Sequence, residues 1–593
     1  MATPPFLGRV VHDGDERGIR ALFSKDNRAI PCPDELGTYG SGDIVRVKSL
    51  APLQMELLAE GETTQARLYD ILERYEIDPE FSPEVLAETE NWLADPGLTD
   101  DSLQDFTGLP FITIDNEDSR DLDQAMFIER EGQGFAIYYA LADAAYYVRA
   151  NTALLAEALR RGSSYYLPGL CIPMLPASLS EGIISLNANV DRRAFVLRMK
   201  LDEGGEICST DFLRAKIRSR AKLTYDGVQT YHDSPAGHTL SNHDYTETLN
   251  LLRVVGELRI ARAKRQGVIR FDRRYLTVGH DKDDRQRFSV KLEERNQVEK
   301  WNEQVSLLCN MEGAALLLKD APQEGIEPVY RSHPAPLADR LNELALGIES
   351  IVQAHSLEPS IWHWQRHKRG EHPPETLANY LERLPKDGPT IRVRAALQRQ
   401  ILYANRASTF GVEAEGHYAL GVDGYARFSS PMREVVGIFT HKEALEKLGV
   451  ISKENSTAED QALRLKVIDS ANTAKELQKK LTKEANKYAI DQLLDGDLAL
   501  PVESRPWRSA TILGIRPSRL YVELDKFPVD LKIYSHDLER AYDCAYHQDE
   551  LGVQLIPDAP EAPLFSVGSG VGVRTVGYDE KRRRWQLSAA SLD

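Results

Sequence analysis

One stretch of this chain limits its fold more than any other. Residues 111–114 (Phe-Ile-Thr-Ile) read as a buried strand that runs straight into Asp115-Asn-Glu117-Asp118-Ser-Arg-Asp121-Leu-Asp123-Gln124, five acids within nine residues. Residues 125–128 turn apolar again. Carboxylates gathered this tightly repel one another and raise one another's pKa unless cations sit among them. The loop must therefore either splay into solvent or close around positive charge. Hard oxygen ligands suit Mg²⁺ or Mn²⁺, with a substrate phosphate completing the octahedron. Two such ions about 4 Å apart can activate a water and stabilise the leaving oxygen of a phosphodiester. A solvated acidic loop or a Ca²⁺ loop would use the same residues. An EF-hand would not, because its central glycine and closing glutamate are missing at the required offsets.

The remaining chain frames this stretch. At roughly 100–200 residues per domain, 593 residues suggest three or four domains. Residues 1–62 alternate short β-like runs (6–11, 20–23, 43–47) with Gly and Pro, as in a small cold-shock or OB-like barrel or a fragment of one. Residues 63–104 have a helical pattern and form a connector. Residues 105–495 show no low-complexity linker and read as one large α/β (α+β) unit. Its strand candidates are 111–114, 125–128, 135–141 and 194–201, and its helix candidates are 246–266, 298–319, 391–403 and 462–494. Residues 498–593 carry five short strands (509–515, 519–524, 531–534, 570–575, 584–589), a spacing that fits an OB-type barrel.

Charge and cysteines narrow the setting. A net charge of −18 argues against a surface that coats nucleic acid indiscriminately. It leaves room for a local basic channel, and Arg214, Lys216, Arg218, Arg220 and Lys222 alternate as one face of a strand would. Such a face could track phosphates or simply be solvated. A second basic run extends from Arg259 to Arg274. Five scattered cysteines with no CxxC pair point to a reducing compartment, the cytoplasm, and away from zinc or a disulfide framework. No run of 18 apolar residues suggests a membrane span, and Met1-Ala-Thr-Pro-Pro5 lacks the features of a secretory signal.

The acidic stretch resembles the signature of the ribonuclease II (RNB) family, in which a strand ends in an Asp and a short loop carries three more. Asp115, Asp121 and Asp123 fall on the first three positions, and Gln124 stands on the fourth. The likeness continues in order through Tyr139-Ala-Leu-Ala-Asp143, Arg161 to Gly169 with Tyr166, Ile172 to Pro176 with Ser185-Leu186, Lys222-Leu-Thr-Tyr225-Asp226, Arg270-Phe271, Trp301 to Asn310 with Glu303, and Tyr425 to Arg433.

The resemblance implies an RNB-type catalytic domain flanked by OB-type barrels. It implies a Mg²⁺-dependent 3′–5′ exoribonuclease, with Mn²⁺ as a substitute, that hydrolyses single-stranded RNA to nucleoside 5′-monophosphates without an obligate protein partner. In that reading Asp115, Asp121, Asp123 and Gln124 hold metal. Arg433 meets the growing phosphate charge. Tyr166 and Phe271 stack on terminal bases, Tyr225 contacts RNA further out, and Glu303 touches the terminal ribose. Two departures stand out: Gln124, and Gly437 where the family has an Asp that supports the following helix. They keep open a second reading, an RNB-like RNA-binding protein with weak or no cleavage. A third is a metal-dependent phosphodiesterase acting on DNA or another substrate. Charge alone predicts that Gln124→Asp would strengthen Mg²⁺ binding.

Overall fold

The computed structural model describes residues 5–13, 16–26, 28–32, 37, 39–268, 274–280, 288–319, 325–366, 374–453 and 455–592. Its centre is a closed five-stranded barrel in the order Asp191–Leu201, Ile207–Thr224, Gln104–Asp115, Gln124–Glu131 and Gly134–Ala142. Ile207–Thr224 and Gln104–Asp115 run parallel, and the other neighbours are antiparallel.

Side-chain alternation makes this wall. In Gly134–Ala142 every residue is buried. Phe135, Ile137, Tyr139 and Leu141 pack into one apolar cluster with the helices Thr246–Arg265 and Gln297–Leu318. Ala136, Tyr138, Ala140 and Ala142 face another, shared with the helices Ala153–Arg161 and Val435–Lys447. A period of two thus gives one strand two buried faces.

The register brings the chemistry to one rim. Thr224 pairs with Asp115, Gln124 with Leu141, and Ala142 with Ala194. The ends that carry Asp115, Asp123, Asp143 and Tyr225 therefore meet at the same end of the barrel. The helices around it start where their caps dictate. Asn296 with Glu299 and Ser456 with Glu459 form reciprocal capping boxes, which satisfy first-turn amides of Gln297–Leu318 and of the 42-residue helix Thr457–Leu498.

Five strands, Phe6–Asp13, Glu16–Ala21, Ile30–Pro31, Ile44–Leu50 and Leu53–Ala59, form the N-terminal sheet. The helices Thr64–Arg74 and Pro83–Ala94 follow it. The C-terminal sheet runs Asp530–Tyr534, Arg519–Leu524, Arg508–Arg516, Gly570–Asp579 and Arg584–Ser591. These are the five strands expected from the sequence. Its core also takes in the helices Ala338–Ala354, Leu377–Arg383 and Ile391–Ala404. Among the described residues no helix is long and apolar enough to cross a membrane.

The basic face of Ile207–Thr224 serves the barrel itself, which corrects the phosphate-track expectation. Arg214 grips the fully buried Asp143 through two bonds of 2.7 and 2.9 Å. Lys216 pairs with Asp105, Arg218 with Asp191, and Arg220 with Asp244. In the second run Arg262 pairs with Glu206 and Lys264 with Glu382, while Arg270 and Arg273 lie outside the described residues. Arg193, 1% exposed, adds a third arm at Asp143. It also bonds Asp100 at 2.9 Å, and its guanidinium lies 3.6 Å from the ring centroid of Tyr146. Gly97, whose carbonyl takes another Arg193 N–H, has φ of +67°, and a Cβ there would strike Tyr146.

Breaking a buried ion cluster by removing one member typically costs about 3–5 kcal/mol, because the remaining charges lose their partner. Asp143→Ala is therefore expected to destabilise the chain by about that amount in urea unfolding. A loss below about 1 kcal/mol would place Asp143 among ordinary surface-type pairs.

Candidate active site

The acidic loop is held by its backbone before its carboxylates do anything. At the end of Gln104–Asp115, Asp115 Oδ1 accepts from the Asn116 amide and the Ser119 hydroxyl, both at 2.8 Å. Lys222 donates to the carbonyls of Glu117, at 2.8 Å, and Ser119. The Ser185 hydroxyl donates to the Arg120 carbonyl at 2.8 Å and accepts from the Leu122 amide at 2.9 Å. Pinned from both sides, the loop delivers Asp121 and Asp123 to the rim.

Asp123 is 2% exposed. Its Oδ1 accepts from the Met432 amide at 2.9 Å and its Oδ2 from Arg433 Nε at 2.5 Å. Burial pushes its carboxyl up to about 6, reinforced by Asp121 and opposed by Arg433 and the Met432 amide. Arg433 is held well above its ordinary value by Asp123, Tyr166, Asp121 and Asp115, which outweigh its burial. Its side chain is 33% exposed, and Nε alone bonds to protein among the described residues, so the terminal nitrogens can meet a phosphate.

The segment 425–433 that carries Arg433 is stapled from within. Asn310 Oδ1 accepts from the Phe428 and Ser429 amides at 2.7 and 3.0 Å. Its Nδ2 donates to the Tyr425 and Ser429 hydroxyls, both at 2.9 Å. His441 Nε2 donates to the Phe428 carbonyl at 2.9 Å, and burial drops its pKa to about 4, so the imidazole is neutral.

Gln124 belongs to this scaffold. Its Oε1 accepts from the Tyr139 hydroxyl at 2.5 Å, and its Nε2 donates to the Ser429 carbonyl. Both ends of the amide are engaged by protein groups, which gives the metal-ligand expectation for Gln124 no support. Gly437 makes a close backbone approach. A Cβ there would lie 2.9 Å from Pro431 Cα and from the Ser430 carbonyl oxygen, so Val435–Lys447 rests directly on the Ser430–Pro431 backbone. The Asp that the family places here would not fit.

Tyr166 lies in the short hairpin Tyr165–Leu167 and Leu170–Ile172. The residue is 45% exposed and its hydroxyl donates to Asp121 Oδ2 at 3.3 Å. Gln478, from the long helix, clamps its backbone: the Tyr166 amide donates to Oε1, and Nε2 donates to the Tyr166 carbonyl, both at 2.9 Å. No local sequence signal marks Gln478, one polar residue on a long helix.

Tyr225 follows the residue paired with Asp115 and accepts from Asn302 Nδ2 at 3.0 Å; burial first, then Asp115, pushes its phenol up to about 12. Glu303 stands one residue further along that helix and accepts from Arg295 at 3.0 Å. Phe271 and Arg270 lie outside the described residues.

The structure thus brings together Asp115, Asp121, Asp123, Arg433, Tyr166 and Tyr225. Carboxylates suit a hard divalent cation, but the oxygens of Asp115, Asp121 and Asp123 do not all come within 4.8 Å of one another, so the predicted metal triad is not drawn into a closed ligand set. Among the described residues, three carboxylates bring oxygens within 4.8 Å of one another only at Glu443, Glu446 and Asp460. That set is closed around the Lys442 ammonium, at 2.8, 3.1 and 2.8 Å.

The acidic rim of the barrel is thus closed by an Arg from a distant loop. Residues 103–447 match the RNB domain, more than half of the chain, and the chain belongs to the RNB family. Ribonuclease R of Vibrio cholerae is 26% identical over 506 residues, covering 82% of this chain and 57% of that protein. The chain spans less than two thirds of the curated relatives it matches. Mycoplasma genitalium RNase R in complex with ribose-methylated single-stranded RNA shares the fold at a TM-score of 0.80 and 20% identity, over 99% of this chain and 89% of that one. Yeast Ssd1, a pseudonuclease, aligns at a TM-score of 0.60 and 13% identity, over 94% and 68%.

The geometry removes the gain in Mg²⁺ binding expected for Gln124→Asp. The shorter, anionic side chain would face the Ser429 carbonyl and lose both bonds. Leaving buried groups unpaired costs about 1–3 kcal/mol. The variant is expected to lose about that much in urea unfolding, with no fall in the Mg²⁺ concentration that any activity requires. Unchanged stability with a lower Mg²⁺ requirement would return this position to the metal site.

Proposed function

We propose that the chain is a 3′–5′ exoribonuclease that removes nucleoside 5′-monophosphates from single-stranded RNA with Mg²⁺ (or Mn²⁺). The observation that carries this reading is the convergence of Asp121, Asp123, Arg433 and Tyr166 on one rim. Family membership and the Ribonuclease R relatives support it. Asp115, Asp121 and Asp123 would hold the metal. When bound, the metal supplies an activated water and a counter-charge for the leaving oxygen.

The chain's own residues do the rest. Tyr166 offers an exposed ring to a terminal base, a contact worth about 1–3 kcal/mol with little sequence preference. Arg433 presents its free guanidinium nitrogens to the phosphate, where extra negative charge in the transition state strengthens the bond. Asp123 holds that guanidinium in place. Tyr225 and Glu303 would guide the RNA further along, and the C-terminal sheet would grip the strand away from the scissile bond. The free thiols at Cys171, Cys208, Cys309 and Cys544 suit the cytoplasm.

A second reading, RNA binding with little cleavage, is favoured by the sealed amide of Gln124. Incubating the protein with end-labelled poly(A) or single-stranded DNA, in Mg²⁺ or EDTA, separates the two. Mononucleotides from RNA in Mg²⁺ alone are expected; intact RNA that stays bound would establish the second reading. Asp123→Asn is expected to lower the rate at least a hundredfold, about 2.7 kcal/mol in barrier, while RNA affinity stays within about threefold. Cleavage within tenfold of the parent would remove Asp123 from the chemistry.

A further inference from the structure

A second charged cluster lies behind the segment that carries Arg433. Arg331 sits in the strand Tyr330–Ser332, pairs with Phe410 of Thr409–Gly411, and donates its amide to the Tyr425 carbonyl at 2.8 Å. Its Nε and Nη2 both point at the Ser408 hydroxyl, at 3.3 and 3.2 Å. Lys475 Nζ, from the long helix, reaches the same hydroxyl at 3.0 Å and also bonds the Ser408 carbonyl. Three cationic N–H donors thus crowd one oxygen that has two lone pairs.

Neither cation has a carboxylate partner among the described residues. The acids that bear on them are taken: Glu434 is bonded to Arg427 at 2.8 and 3.0 Å, and Glu476 to Lys479 at 2.7 Å. The neighbouring bases add no compensation. His333 donates Nε2–H to the Arg406 carbonyl at 2.7 Å and accepts from the Ala419 amide at 3.1 Å, which fixes the neutral form. His417, with its ring 5.0 Å from that of His333, is held down at about 3 by burial, His333 and Arg331. Burial and Arg331 likewise pull the Lys475 ammonium down to about 8. Half-buried positive charge without an acid is costly and gains most from an arriving anion.

The loop is ready for one. Asn472 fastens Phe410 by its amide and its carbonyl, both at 3.0 Å, which fixes Ser408 relative to the helix. Ser408 is half-buried, and Arg406, Ala407 and Thr409 around it are exposed, so solvent reaches the cluster across the loop.

We propose that Arg331, Lys475 and Ser408 form an oxyanion site for a tetrahedral phosphate dianion, distinct from the acidic rim. Three cationic N–H groups match the several oxygens of a phosphate better than one hydroxyl, and the Ser408 O–H adds a fourth donor. Inorganic phosphate and the 5′-phosphate of a mononucleotide share this chemistry. The site stands apart from the proposed nuclease reading and does not need it to hold.

Thermal unfolding of the full chain tests it, in EDTA so that metal-bound phosphate at the rim contributes nothing. The additions are inorganic phosphate, AMP and adenosine, at ionic strength matched with chloride. The parent protein is expected to gain at least about 2 °C with saturating phosphate. Lys475→Met should lose most of that response. Ser408→Asp carries its own anion to the cations: it should melt higher without phosphate and respond to none. Equal gains from AMP and phosphate with none from adenosine would make the mononucleotide a ligand, and a gain from phosphate alone would make it the free ion. No response in the parent overturns the proposal. So does an equal response in the parent and Lys475→Met, or a Ser408→Asp protein less stable than the parent.

Discussion

The bond between the buried Asp123 carboxylate and Arg433 joins residues 310 positions apart, and the active end of the barrel is organised around it. Taking both charges out of water is costly, and their attraction offsets that only with good geometry and further hydrogen bonds. The Met432 amide supplies one of those bonds. The rest of the architecture supplies the geometry. Barrel closure fixes the strand ends, Lys222 and Ser185 fix the loop, and Asn310 fixes the segment opposite. A carboxylate raised to about 6 beside a guanidinium that retains free donors suits a site that takes further positive charge and a phosphate.

The two departures from the family pattern make sense together. Gln124 ties the acidic strand to the Ser429 carbonyl, and Gly437 lets the next helix settle against Ser430–Pro431. Both act on the short segment that ends in Arg433. At these two positions the chain uses an amide bridge and a close backbone approach.

Much of this was legible in the sequence, and the losses have physical causes. Apolar alternation marked 135–141 and 194–201, and the even spacing of turns marked the five C-terminal strands. The strand Ile207–Thr224 was visible only as alternating basic residues, because its other face is mixed and its pairing with Gln104–Asp115 shifts twice. Its charges suggested a phosphate track. The partners of Arg214, Lys216, Arg218 and Arg220 come from strands and loops far along the chain, and a sequence shows a charge without its partner. The acidic cluster, Tyr166 and Arg433 were legible as residues. The role of Gln124 was not, because an amide after two acids reads as a weakened ligand until Tyr139 and Ser429 are seen beside it.

A double-mutant cycle on Asp123 and Arg433 tests the central claim most directly, with single-turnover cleavage of end-labelled RNA in Mg²⁺ as the readout for the parent, Asp123→Asn, Arg433→Lys and the pair. If the two side chains act as one unit, the double variant loses little more than the worse single variant, and the coupling exceeds about 1 kcal/mol. Losses that add in full would show that Asp123 and Arg433 act separately, and would contradict the account.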